Sequence, residues 1–429
     1  MRNVLEAGLA AVAAIALVAC GAGGGGAGPN AAASPTPLIT FPPNPQCKAI
    51  APAPTSAGSL PSAAGLQVPA GFTISVLANV PGARELAALP NGDLLVGTVG
   101  GNTDIVPAAQ TATAQVSPVT FVSIGDGPDN GVAFSQTQCR IFVATEHGIY
   151  AIPYATGQQH AAGAVRIAAV RTGPIAPNND GDVHHTTSVA YSDVAQTLYA
   201  GVGSSCNACV EVDPTRATIQ QMTANGGSMK TRATRFRNAI ALAANPSSGH
   251  LWAGGAGQDS LPSLHPYEFL DDLTSHAGTA DYGWPDCEEN HVAYRSGADC
   301  ANTVAPLIVL PAYTTLIGVT FYPRGATGKY AFPAAYAGGM FVTRHGSWHT
   351  PNGCTLAPEV DFVSMQGDRP AVAVNWSNPT TQWKPFITGF QPGCSQSTRT
   401  GRPTGVAVGT DGSLFVGDDQ TGNIYRIRP

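Results

Sequence analysis

The sequence predicts an all-β fold, a six-bladed β-propeller, and three observations predict it. An imperfect internal repeat places six short apolar-Ala-apolar segments at 85–89, 131–134, 189–191, 239–243, 318–322 and 405–408. Each is followed by a second apolar run, at 93–97, 140–144, 197–201, 250–254, 339–343 and 413–417. The repeats recur at spacings of roughly 45 to 85 residues, with turn pairs such as Asn91-Gly92 and Asp411-Gly412 between partners, which suits one four-stranded blade per repeat. Charged residues make up only 11% of the chain. Ordinary soluble domains carry roughly 25%, so a chain poor in charge and rich in Gly and Pro has many tight turns and few charged helices. Six such modules close into a ring.

Taken from the N-terminus, residues 1–20 read as a bacterial lipoprotein signal peptide. Arg2 precedes an apolar run that ends in Leu17-Val-Ala-Cys20. The run is too short to span a bilayer comfortably, so it is an address that is removed. Cys20 is the expected lipidation site, and the mature chain is expected to be exported, periplasmic or at the cell surface, tethered to the membrane by its lipid anchor alone. Residues 21–65 are dominated by Gly, Ala, Pro and Ser and form a flexible or polyproline-like linker. The propeller occupies 66–429, about 360 residues, a length normal for a repeat ring. A net charge of −6 with no basic cluster argues against nucleic acid as a partner.

Of the nine cysteines, Cys20 is assigned to the lipid, and the remaining eight suit disulfides in an oxidising compartment. The sequence does not fix the connectivity, but proximity favours Cys206 with Cys209, Cys287 with Cys300 and Cys354 with Cys394, which would leave Cys47 and Cys139 to pair by elimination. Covalent haem on Cys206-Asn-Ala-Cys209 requires a His at the next position, which is Val210. A stapled loop is the expected role.

Corresponding positions of the blades converge on the ring axis, so residues just ahead of each first strand gather at one channel mouth. They are Arg84, Asp129 with Asn130, His184 with His185, Arg237 with Asn238, and Arg402; the fifth repeat breaks the pattern with Leu316 and Ile317. Such a ring suits an anionic cofactor or polar substrate, or else bridges neighbouring blades. Imidazole is the natural general base near neutral pH. The glycines of Gly254-Gly-Ala-Gly-Gln-Asp259 let backbone carbonyls approach a ligand or hard cation. His345 and His349 lie four apart around Gly346, the context of a packed loop rather than a helical metal pair. Trp348, Trp376 and Trp383 either stack on a sugar ring or, more ordinarily, pack between blades.

Several stretches, taken together, resemble a known family. They are Val68-Pro-Ala-Gly-Phe72, His184-His185 with 202–209, Arg237-Asn238, Tyr282-Gly-Trp-Pro285, Phe332-Pro-Ala-Ala-Tyr336, Arg344-His-Gly-Ser-Trp348, and Gly401-Arg-Pro-Thr-Gly405 with Asp418-Asp419. In order and spacing, from about Leu66 to Arg428, the chain resembles the soluble glucose and sorbosone dehydrogenases, six-bladed propellers that use pyrroloquinoline quinone (PQQ). The resemblance implies a cofactor across the channel mouth, with a sugar hydroxyl or hydrated aldehyde as substrate and an external electron acceptor. His184 would take the hydroxyl proton while hydride passes to the quinone. Arg237 and Asn238 would hold the quinone edge and Arg402 a cofactor carboxylate, with His185 and Arg344 as further cofactor contacts. The family's calcium would fall near Gly257, Asp259 and Glu268.

This chain also departs from the family. Ala256 stands where an amide usually precedes the cation-binding Gly257, Tyr267 replaces an expected Asp, and Ser204 aligns with the acid that orients the base. Asp182 is a possible substitute for that acid. These departures motivate two alternatives: a propeller kept as a ligand-binding module after losing catalysis, and a metal-dependent lactone hydrolase using Asp129, Asn130 and Asn238.

Overall fold

The computed structural model describes residues 47–50, 58–176, 183–261, 265–349 and 353–429. The signal peptide with Cys20, most of the linker, and Asp182 lie outside the described residues.

Each repeat folds because its alternating apolar side chains cover both faces of a short strand, and a glycine turn sends the chain back antiparallel. In the first blade, Ala83–Ala88 pairs with Leu94–Thr98, followed by Asn102–Val106 and Val119–Ser123. Gly92, at φ 85°, makes the first hairpin, and Gly412, at φ 87°, makes its equivalent in the last blade. A Cβ on Gly412 would lie 2.6 Å from Ala331, so close packing as well as φ fixes glycine there.

The same meander recurs in the sheets that start at Gly131–Ser135, Thr187–Ser192, Ala239–Ala244, Leu316–Phe321 and Pro403–Val408, giving the six blades expected from the repeat. The six inner strands pack edge to edge in cyclic order. Leu86, Val132, Val189, Leu242, Val319 and Val406, one from each, surround the axis. The ring is closed by the chain's N-terminal strand: Thr73–Asn79 pairs antiparallel with Asn423–Arg428, Thr73 opposite Arg428, as the outer strand of the sixth blade. Aromatic side chains fill the spaces between blades, the buried Phe332, Phe341 and Phe386 and the half-buried Phe72 and Tyr336 packing mainly edge to face. Each buried one contributes roughly 1.5–3 kcal/mol.

Ordered packing begins ahead of the expected boundary at Leu66. Ser62 bridges to Ser75, and Ala63 is buried in the core. The disulfides Cys206–Cys209, Cys287–Cys300 and Cys354–Cys394 are formed as expected. The pairing by elimination is corrected: Cys47 and Cys139 are free, buried thiols. Each sulfur lies 3.8 Å from the carbonyl oxygen of Gln136, which both approach as weak donors.

One insertion positions the site. Between the third strand of the fourth blade, Glu268–Asp272, and its fourth, Ile308–Leu310, the chain leaves the blade. Ala280–Asp281 joins the third blade as a fifth, parallel strand, and Cys287–Glu288 pairs with Val292–Ala293 in a small hairpin stapled to Cys300. The excursion brings Trp284 close to the Cys206–Cys209 loop, Glu288 to Gln258 and Glu289 to Tyr267.

Candidate active site

His184 lies just ahead of the inner strand of the third blade, and Arg237 just ahead of that of the fourth. Gly203, between them, lets the two segments meet: a Cβ there would lie 2.6 Å from His184 Cβ and 2.5 Å from Asn238 Oδ1. His184, Asn207, Arg237, Asp259 and Trp348 line one cavity of about 370 Å³. That size lies within the range of small-molecule sites.

The imidazole of His184 is held in one tautomer. Its Nδ1 lies 2.9 Å from both the carbonyl and the hydroxyl oxygen of Ser204. The hydroxyl donates its own proton to the Cys206 carbonyl at 2.7 Å, so toward the ring it accepts. Nδ1 therefore carries the hydrogen, and Nε2 keeps its lone pair as an acceptor. Burial first, and then the charge of Arg237, push the imidazole well below its ordinary pKa, so it is neutral at physiological pH. Arg171 fixes the segment that follows, donating to the Thr186 carbonyl and to Thr187 Oγ1.

Arg237 is enclosed by oxygens. Nε donates to the Asn207 carbonyl at 3.0 Å and Nη2 to Asn207 Oδ1 at 2.9 Å, while Nη1 reaches the carbonyls of Gly257 at 2.6 Å and Ala256 at 3.4 Å. Asp259 completes the set with an ion pair at 3.1 Å. Asn207 is held by the Cys206–Cys209 staple and also receives the indole N–H of the buried Trp284 at 3.0 Å. Opposite, the indole N–H of Trp348 points to Asp259 Oδ1 at 3.3 Å, and the ring is 58% exposed. A face that open is available to stack on a planar or sugar ring.

A second polar network links the first, second and sixth blades with the turn after Arg344 of the fifth. Arg84 donates to Asn130 Oδ1 at 2.9 Å and pairs with Asp419 at 2.8 Å, and Asp419 also receives His345 Nε2 at 2.8 Å. Burial works against ionisation, but the His345 bond and the charges of Arg84 and Arg402 hold Asp419 down to about 2. Burial lowers His345 to about 4, so it donates as a neutral ring. Arg402 holds the carbonyls of His345 and Gly346 at 3.0 and 3.3 Å, bracing the turn that carries Trp348.

Several solved structures share this architecture. The holo PQQ domain of pyranose dehydrogenase from Coprinopsis cinerea superposes with a TM-score of 0.70 at 17% identity, covering 87% of this chain and 99% of that one. The calcium structure of a Carbohydrate-Active Enzymes Family AA12 protein from Trichoderma reesei gives 0.68 at 18% identity, over 87% and 98%. The soluble aldose sugar dehydrogenase of Escherichia coli gives 0.56 at 16%, over 83% and 99%. The fold is that of the sugar dehydrogenase propellers. A family model described as TrAA12-like matches residues 286–429. An uncharacterized protein of Borreliella burgdorferi is 24% identical over 259 residues, a span of 58% of this chain and 62% of the relative's length.

Against this geometry, the expected site residues divide. His184, Arg237 and Asp259 share the cavity wall, and Asn238 lies buried behind His184. His185 turns away to Glu146 Oε1 at 2.8 Å and does not line the cavity. Arg344 is corrected as a cofactor contact: it is buried within the fifth blade, paired with Asp361 and Glu359 and lying 4.4 Å over the ring of Trp383. Asp129 packs toward Thr103, and Asn130 ties Arg84 to the Thr187 carbonyl, so these two serve as bridges between blades. Glu268 accepts from Gly257 N at 3.0 Å, and burial pushes it up to about 8. His345 and His349 have separate partners, and His349 packs on Tyr313 and Trp348. Sequence reasoning missed Asn207, Arg171 and the exposure of Trp348. The first had a visible signal, since a Cys-Asn-Ala-Cys staple beside a candidate base presents its inner residues at a fixed place.

Proposed function

We propose that this chain is a quinoprotein oxidoreductase that oxidises a hydroxyl or hydrated aldehyde of an aldose or related sugar. The observation that carries the reading is the locked tautomer of His184, whose Nε2 is an unprotonated acceptor on a sugar-sized cavity beside Arg237. The sugar dehydrogenases that share the fold support it. A planar, anionic cofactor fits an exposed indole face beside the positive charge of Arg237, whose N–H groups are held by protein oxygens so that it acts through its charge. PQQ, when bound, supplies the hydride acceptor.

The chain's own residues do the rest. Trp348 and Asn207 bound the substrate space and orient the sugar. His184 Nε2 removes the hydroxyl proton as the C–H bond breaks, a contribution of typically 10²–10⁴-fold for a positioned base. Ser204 accepts from Nδ1 throughout and keeps the ring from rotating. Arg237 supplies positive charge where negative charge develops on oxygen. Electrons leave to an external acceptor. We further propose that the chain is exported and held at a membrane surface through acylated Cys20, a reading supported by three disulfides, which persist in oxidising compartments.

Purified protein incubated with PQQ is expected to take up one cofactor per chain and to bleach an artificial electron-accepting dye when an aldose is added. Absence of both uptake and dye reduction across common aldoses would remove the proposal. Uptake of sugar without turnover would instead identify a binding module.

A further inference from the structure

The resemblance places calcium near Gly257, Asp259 and Glu268, and the residues there do not fit a divalent cation. Calcium requires six to eight oxygens at about 2.3–2.6 Å. Five oxygens do converge: the carbonyls of Asn207, Ala256 and Gly257, Asn207 Oδ1 and Asp259 Oδ2. All five face a single guanidinium at 2.6–3.4 Å, and Arg237 is only 5% exposed. Glu268, the remaining expected ligand, is turned to the backbone N–H of Gly257 at 3.0 Å.

We infer that Arg237 is a built-in cation: its guanidinium fills the oxygen cradle assigned to calcium, so the site takes no divalent ion and works without one. A guanidinium is permanently charged and presents five donors in a planar fork, which matches a ring of carbonyl and amide oxygens. A dication seated on the same oxygens would lie within contact range of a fixed positive charge in a desolvated pocket, so the two exclude each other. The chain has also lost the amide that precedes the glycine in the family pattern, the position being Ala256. The proposal rests on the quinoprotein reading only in identifying calcium as the displaced ion.

The test uses full-length, cofactor-free protein and terbium as the probe, sensitised by Trp348, whose indole nitrogen lies 3.3 Å from Asp259 Oδ1. Wild type is expected to show no saturable terbium emission, and its melting temperature should not move with EDTA or added calcium. Arg237→Ala, which frees the five oxygens, is expected to gain one calcium-displaceable terbium site per chain, and adding Asp259→Asn should abolish it. Saturable one-to-one binding to wild type, lost on Asp259→Asn, would overturn the inference whether or not the Arg237 variant folds. Failure of a folded Arg237→Ala to gain the site would also overturn it. Because ion binding is read without cofactor or sugar, these outcomes are separate from the success or failure of PQQ uptake.

Discussion

At the scale of single residues, the chemistry turns on one imidazole and what touches its far nitrogen. Ser204 is a neutral partner whose backbone hydrogen bond only partly offsets the desolvation and the charge of Arg237 that lower the His184 pKa. A lowered base is lost only when the pH falls through that low value. The acid limb of kcat/KM is therefore expected well below 6.5, the ordinary imidazole value, and a profile from pH 5 to 8 checks it. Ser204→Asp would place a carboxylate on Nδ1, favour imidazolium and carry the acid limb up into that range. His184→Ala should lower kcat by roughly 10²–10⁴-fold at every pH. Dye-reduction kinetics read all three.

At the scale of elements, the staples and the buried ion pair separate stability from function. In the loop-entropy view, losing the Cys354–Cys394 bond, which spans 40 residues of sequence, costs more than losing Cys206–Cys209, which spans 3. The estimates are about 4 and about 2 kcal/mol. The smaller loss falls on the loop that carries Asn207 and the Ser204 hydroxyl's acceptor. Cys206→Ser with Cys209→Ser should thus cut turnover sharply for a modest drop in melting temperature, and Cys354→Ser with Cys394→Ser the reverse. Arg344, inside the fifth blade, belongs to the stability side. Arg344→Ala leaves the fully buried carboxylate of Asp361 without its cation and should cost roughly 3–5 kcal/mol in urea unfolding.

At the scale of the whole molecule, the ring concentrates carboxyls in places water does not reach. Burial raises Glu85 and Glu268 to about 8, and Asp129 and Glu288 to about 7. A carboxyl whose folded pKa exceeds its unfolded one holds a proton that the unfolded chain has released, so its stabilisation is complete below the unfolded value and lost as pH rises through the folded one. The melting temperature is expected to be highest near the unfolded carboxyl values, about pH 4, and to fall toward pH 8. Asp419 has the opposite sign: held near 2, its contribution is lost only as the pH drops from about 4 toward 2. Calorimetry across pH 3–8 reads both limbs.

The sequence by itself determined the six modules, because each blade is a local meander whose apolar alternation and glycine turns lie within one repeat. It favoured three disulfides by closeness in the chain, and it marked His184 and Arg237 as neighbours of one mouth. Tertiary structure decided whatever depends on partners far apart in the chain. Thr73–Asn79 closes the sixth blade against residues more than three hundred positions away. Arg344 follows the motif of a ligand contact, yet Asp361 and Glu359 claim it across adjacent strands. Arg237 was legible as a cation at the mouth, but its enclosure by Asn207, Ala256, Gly257 and Asp259 depends on three loops meeting. Periodicity records which face of a strand is buried; it carries no record of which oxygens surround a charge once the ring has closed.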